Sequence, residues 1–86
     1  MIEWYLSHAS QYGRNELRFR AVGPDGATIA ESPTFKGNAS FGPNHRLDEH
    51  QRALADLLER LARLGWRRAG EPPSPWYAWR LERTAQ

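Results

Sequence analysis

The chain has no cysteine. That excludes a disulfide framework and any thiolate metal site, and it favours a reducing compartment. Long apolar runs are missing as well; the longest fall far short of the ~20 residues that span a bilayer. Met1-Ile2-Glu3-Trp4 carries no signal-peptide pattern, so the expected location is cytoplasmic, with no membrane partner. Lysine is nearly absent: eleven arginines and one lysine give a net charge of only +2. A guanidinium forks onto oxyanions, so arginine in place of lysine suits phosphate recognition. A GC-rich coding composition produces the same bias, and alanine, glycine and proline are also plentiful. No internal repeat, linker or low-complexity stretch divides the 86 residues, which reads as a single domain over 1–86.

What the chain does have is leucine at helical spacing. Leu47, Leu54, Leu57, Leu58, Leu61 and Leu64 recur at intervals of three, four and seven, which predicts an amphipathic helix over about 45–64. With Ala53 they cover an arc of roughly 140° at 100° per residue, and Arg46 intrudes at its edge. Asp48, Arg52, Asp56, Glu59, Arg60 and Arg63 fill the opposite side, where acid-first pairs four apart each add ~0.3 kcal/mol. Asn44 is the preferred N-cap, and Asp48 with Gln51 closing a capping box is the alternative. At the other end Gly65 suits a left-handed C′ position, and Trp66 then folds back onto Leu61.

Around the helix the pattern changes to period two. Ile2 to His8 alternates with Ile2, Trp4 and Leu6 on one side, and Glu16 to Val22 with Leu17, Phe19 and Ala21 inward and Arg18 and Arg20 outward. Gln11 to Asn15 reads as the connection between them. Gly23-Pro24-Asp25-Gly26 reads as a type I turn plus bulge leading to a third strand over Ala27 to Glu31. Thr34 to Pro43 reads as a loop pinned to the sheet by Phe35 and Phe41. Trp66 to Ala69 is a short fourth strand, Gly70 to Pro75 a stiff turn, and Trp76 to Arg83 the last strand, with Tyr77, Trp79 and Leu81 on one face. Thr84 to Gln86 are expected to fray. The expected fold is α+β: an antiparallel or mixed sheet of four or five strands with one helix on one face, in the order β-β-β-α-β-β.

Leu61-Ala62-Arg63-Leu64-Gly65-Trp66, then Gly70, then Trp76-Tyr77-Ala78-Trp79-Arg80-Leu81-Glu82-Arg83 resembles the C-terminal half of a group of small bacterial proteins. That group has a leucine-rich helix, a Gly-Trp exit and a C-terminal Trp-Tyr strand. The Asp25-Gly26 turn and Ser32-Pro33-Thr34-Phe35 also resemble it. The group has no assigned activity, so the resemblance implies the fold and no functional residue. Pro72, Pro73 and Pro75 depart from the shorter glycine-rich link of the group.

Catalytic constellations are not visible. His45 and His50 are five apart and project from different sides of a helix, without a zinc-binding His-Glu-x-x-His pattern. His50 falls within the apolar arc and reads as a histidine packing at the core edge, and His8 as a surface residue. Ser7 and His8 point to opposite faces of a strand. The glycines match neither a P-loop nor a dinucleotide fingerprint. No catalytic, metal-binding or cofactor-binding residue is therefore assigned, and no enzyme is expected. Two functional readings remain. The leading one is a non-catalytic protein-interaction module, self-associating or binding another protein, because ten aromatics exceed the needs of one core face; a two-fold dimer through the open sheet face would bury the surplus. A sheet edge formed by the last strand is a second possible contact. The alternative is a nucleic-acid-binding domain with Arg18, Arg20, Arg67, Arg68, Arg80 and Arg83 lining one sheet face, and Tyr5 or Trp76 offering rings for stacking. Glu3, Glu16, Glu31 and Glu82 in the same strands dilute that field.

Overall fold

In a computed structural model, which describes residues 1–9 and 15–84, the centre of the fold is the strand with the cleanest alternation. Leu17, Phe19 and Ala21 are completely buried, and Arg18 and Arg20 face outward. This strand, β2 (Asn15–Val22), pairs antiparallel along its length with β1 (Ile2–His8). Its other side is shared. β3 (Thr28–Glu31) pairs with the end of β2, and β4 (Phe35–Gly37) pairs with its start, from Asn15 to Leu17. Between them Ser32-Pro33 breaks the strand, since proline has no N–H to offer the ladder. The gap is filled by a side chain: the Phe19 N–H donates to Ser32 Oγ at 3.0 Å, and the Ser32 N–H donates to the Phe19 carbonyl at 2.9 Å.

The inner face of this four-stranded sheet is covered by α1 (Asp48–Arg63), which buries His50, Ala53, Leu54, Leu57 and Leu61. Full burial of a leucine or phenylalanine contributes about 1.5–3 kcal/mol, so this seam outweighs the surface pairs Asp56–Arg60 (3.1 Å) and Glu59–Arg63 (2.7 Å). Gly65 adopts the expected left-handed conformation (φ +87°), and its N–H donates to the Ala62 carbonyl at 3.1 Å. After it, β5 (Trp66–Ala69) pairs antiparallel with β6 (Arg80–Arg83) in a second, two-stranded sheet. The fold is thus α+β, with one helix and two antiparallel sheets among the described residues, in the order β-β-β-β-α-β-β. No helix of the described residues is long and apolar enough to cross a membrane.

Three expectations are corrected. The helix begins at Asp48, with Leu47 at its N-cap position and no side-chain cap. Asn44 instead closes a turn before the helix, its Oδ1 accepting the Arg46 N–H at 2.9 Å, and Gln51 donates to the His45 carbonyl. Leu47 is consequently 47% exposed and outside the apolar stripe. Residues 76–79 are not the first half of a strand: Trp76 and Tyr77 form a turn closed by the Ala78 N–H on the Pro75 carbonyl at 3.0 Å, and Ala78 and Trp79 are irregular. Trp76 and Tyr77 both pack on Phe19, at 5.8 and 5.4 Å between ring centroids, and neighbouring strand residues cannot face the same way. The third correction concerns the loop before the helix. Phe35 is buried as the first residue of β4, whereas Phe41 does not pin anything and is 86% exposed. Gln11 to Arg14 and the last two residues, for which a connection and fraying are expected, lie outside the described residues; Asn15 belongs to β2.

Candidate interaction surface

The six arginines of the sequence pattern do not form one cationic face. Arg18 and Arg20 lie on the outer face of the larger sheet; Arg67, Arg68, Arg80 and Arg83 belong to the smaller one. Arg18 binds Glu31 at 3.0 Å, and hydrogen bonds to Tyr5 and Glu31 hold its guanidinium above the ordinary arginine range. Arg20 is paired with Glu3 at 2.5 Å and lies 5.2 Å over the Tyr5 ring. Arg67 is paired with Glu82, its cross-strand neighbour. Arg68 and Arg83 spread over Trp79 and Trp66 at 4.9 and 5.2 Å. Arg80 is exposed and has no such partner among the described residues. Glutamates and indoles thus occupy the guanidinium faces that phosphates and bases would need.

The aromatic surplus is also placed. Trp4, Trp66, Trp76, Tyr77 and Trp79 pack against the core cluster from its rim, and the outer sheet face carries Glu3, Tyr5, Arg18, Arg20 and Glu31 instead. Burial pushes the Tyr77 hydroxyl above its ordinary value, while a side-chain hydrogen bond with Trp4 acts the other way. The histidines are separated: His45 stacks on Trp76 at 5.1 Å, His50 is 1% exposed, and His8 is exposed at the end of β1. Among the described residues no three histidines or acids form a group that could hold a metal ion.

One large apolar side chain is displayed rather than packed. Phe41 sits in a tight turn in which the Asn38 carbonyl accepts the N–H groups of Phe41 (3.2 Å) and Gly42 (2.8 Å), and Asn38 Oδ1 accepts that of Ser40 (2.8 Å). Gly42 has φ +70° and lies so close to the Trp4 indole that an added Cβ would stand 3.0 Å from its ring carbons. Both ends of the loop are clamped by His50. Its Nδ1 accepts the Asn44 N–H at 2.8 Å, so the proton sits on Nε2, which donates to the Lys36 carbonyl at 2.7 Å. A histidine on the apolar side of the helix was legible in the sequence; that it ties both ends of the Phe41 loop was not.

Trp4, on which the turn packs, belongs to β1, the outermost strand of the larger sheet. Met1 and Val22 exchange both backbone hydrogen bonds, at 2.7 and 2.9 Å, so in this antiparallel ladder Glu3 and Tyr5 also bond to β2. The backbone groups of Ile2, Trp4 and Leu6 therefore point away from β2. The Ile2 N–H is taken by the Trp79 carbonyl at 3.2 Å. Those of Trp4 and Leu6 have no partner among the described residues. Leu6 is 42% exposed on the inner side of this edge.

The fold and this surface define the class: a small α+β domain with a strand edge that is open at Trp4 and Leu6 among the described residues and carries exposed Leu6. No protein-family profile, curated protein sequence or solved structure matches the chain.

Proposed function

We propose that this chain is a non-catalytic protein-interaction module that associates with itself. The observation that carries the reading is Phe41, held 86% exposed on a hydrogen-bonded turn whose Gly42 packs on the Trp4 indole of β1. A ring of that size in water forgoes about 2–3 kcal/mol of burial, and a turn secured by His50 and Gly42 keeps it from folding back onto the core. The nucleic-acid alternative draws less support, since five of the six arginines are engaged by acids or rings. Light-scattering mass measured from about 1 to about 100 µM tests the reading; mass action requires the apparent mass to rise with concentration, and Phe41→Ser to delay that rise. A monomer mass throughout overturns it.

A further inference from the structure

We infer that the self-association partner of this chain is seated on the edge of β1, as the same edge of a second copy running antiparallel. This rests on the self-association reading above and specifies its surface. Trp4 and Leu6 each offer an N–H and a carbonyl, on the side away from β2, that have no partner among the described residues, whereas the corresponding N–H of Ile2 is occupied by Trp79. A two-fold axis through Tyr5 sets Trp4 of one copy opposite Leu6 of the other. Each of the two Trp4–Leu6 pairs then exchanges both backbone hydrogen bonds; across from Ile2, the place that His8 of the second copy would take is held by Trp79, so the shared ladder ends at Glu3 and Ser7.

The side chains agree with this register. On the inner face it places an indole against a half-exposed leucine, with Phe41 adjoining because Gly42 packs its turn on Trp4. On the outer face Tyr5 meets Tyr5, and Glu3 meets Ser7 of the second copy. No like charges are opposed, and Glu3 keeps its pairing with Arg20. A slip of one residue would turn Trp4 and Leu6 to opposite faces of the joint sheet, which disfavours other registers. From Ile2 to Ser7 the edge carries no lysine, no proline and no inward-pointing charge, and its irregularity is the register shift between Leu6 and His8, beyond the two bonding residues.

Two variants test the proposal. Leu6→Pro removes an N–H that faces the open edge and leaves the β1–β2 ladder intact, a position at which proline is tolerated. Its far-UV circular dichroism should match the parent, and its dimer dissociation constant should rise about tenfold or more, because two edge hydrogen bonds are lost per dimer. The chain has no cysteine, so Tyr5→Cys introduces a single thiol on the proposed axis. It should oxidise to a covalent dimer much faster than Ser7→Cys, whose counterpart across the axis is Glu3. If Leu6→Pro does not fold, the ratio of the two crosslinking rates decides. Should the parent self-associate while Leu6→Pro binds equally well, or Tyr5→Cys crosslink no faster than Ser7→Cys, another surface mediates the contact and the edge proposal falls while the reading survives. A parent chain that stays monomeric overturns both, and leaves the edge to a segment of a different protein.

Discussion

His50 Nδ1 receives the backbone N–H of Asn44 across a loop whose other end, at Lys36, is held by the same ring. The imidazole also packs on Phe35 at 4.5 Å between centroids, so one helical residue joins the helix, β4 and the Phe41 loop. His50→Leu keeps a similar volume and leaves a donor and an acceptor without their side-chain partner in a partly buried setting. A loss of about 1–3 kcal/mol in unfolding free energy is expected from urea titration. Little or no shift in midpoint would mean that the clamp does not hold the loop.

Ser32 stands in for a missing rung of the sheet. Its Oγ accepts the Phe19 N–H, and both residues are buried. Ser32→Ala should cost about 1–3 kcal/mol, the penalty of an orphaned buried amide. Hydrogen exchange at the Phe19 amide is the direct readout, and it should accelerate more than exchange at the Leu17 amide.

Gly42 is required twice over, by its backbone angle of +70° and by the indole against it. Gly42→Ala carries a left-handed penalty of about 1–2 kcal/mol before any clash with Trp4 is counted. It should lower the melting temperature and alter tryptophan emission. By contrast, Gly26→Ala, with φ +83° but open space around it, should meet the backbone penalty without the spectral change.

Tyr77 gives the alkaline behaviour a sign. Burial raises its hydroxyl above the ordinary 10.0, so the folded state holds this proton longer than the unfolded chain does. The associated stability is fully present below pH 10 and is lost as pH rises through the folded value. Denaturant midpoints measured upward from pH 9 should therefore fall above pH 10, and Tyr77→Phe should reduce the slope. An identical slope in both chains would assign the alkaline loss to other groups.

Much of the scaffold was legible along the chain because its signals are local. The alternation of Leu17, Phe19 and Ala21 located β2, the leucine spacing located the body of α1, and Gly65 marked its end. The last strand was read too long because alternation of Tyr77, Trp79 and Leu81 is indistinguishable, in one dimension, from three residues bending toward the same core. The helix start was set too early because Asn44 has a capping side chain wherever it stands, and here it caps a turn.

By itself the sequence determined the class of fold, the buried face of β2 and of α1, and the absence of any cysteine chemistry, since each depends on residue type and short-range periodicity. Tertiary structure alone decided that the arginines are divided between two sheets, with Arg18, Arg20 and Arg67 paired to glutamates, that Phe41 is exposed, and that β1 ends the sheet with backbone groups lacking partners among the described residues. Those outcomes depend on which distant residue arrives beside each side chain: Glu31 beside Arg18, Gly42 beside Trp4, Trp79 beside Ile2. Partnership across such sequence distances has no local signature, because the free energy that selects it belongs to the packed chain as a whole.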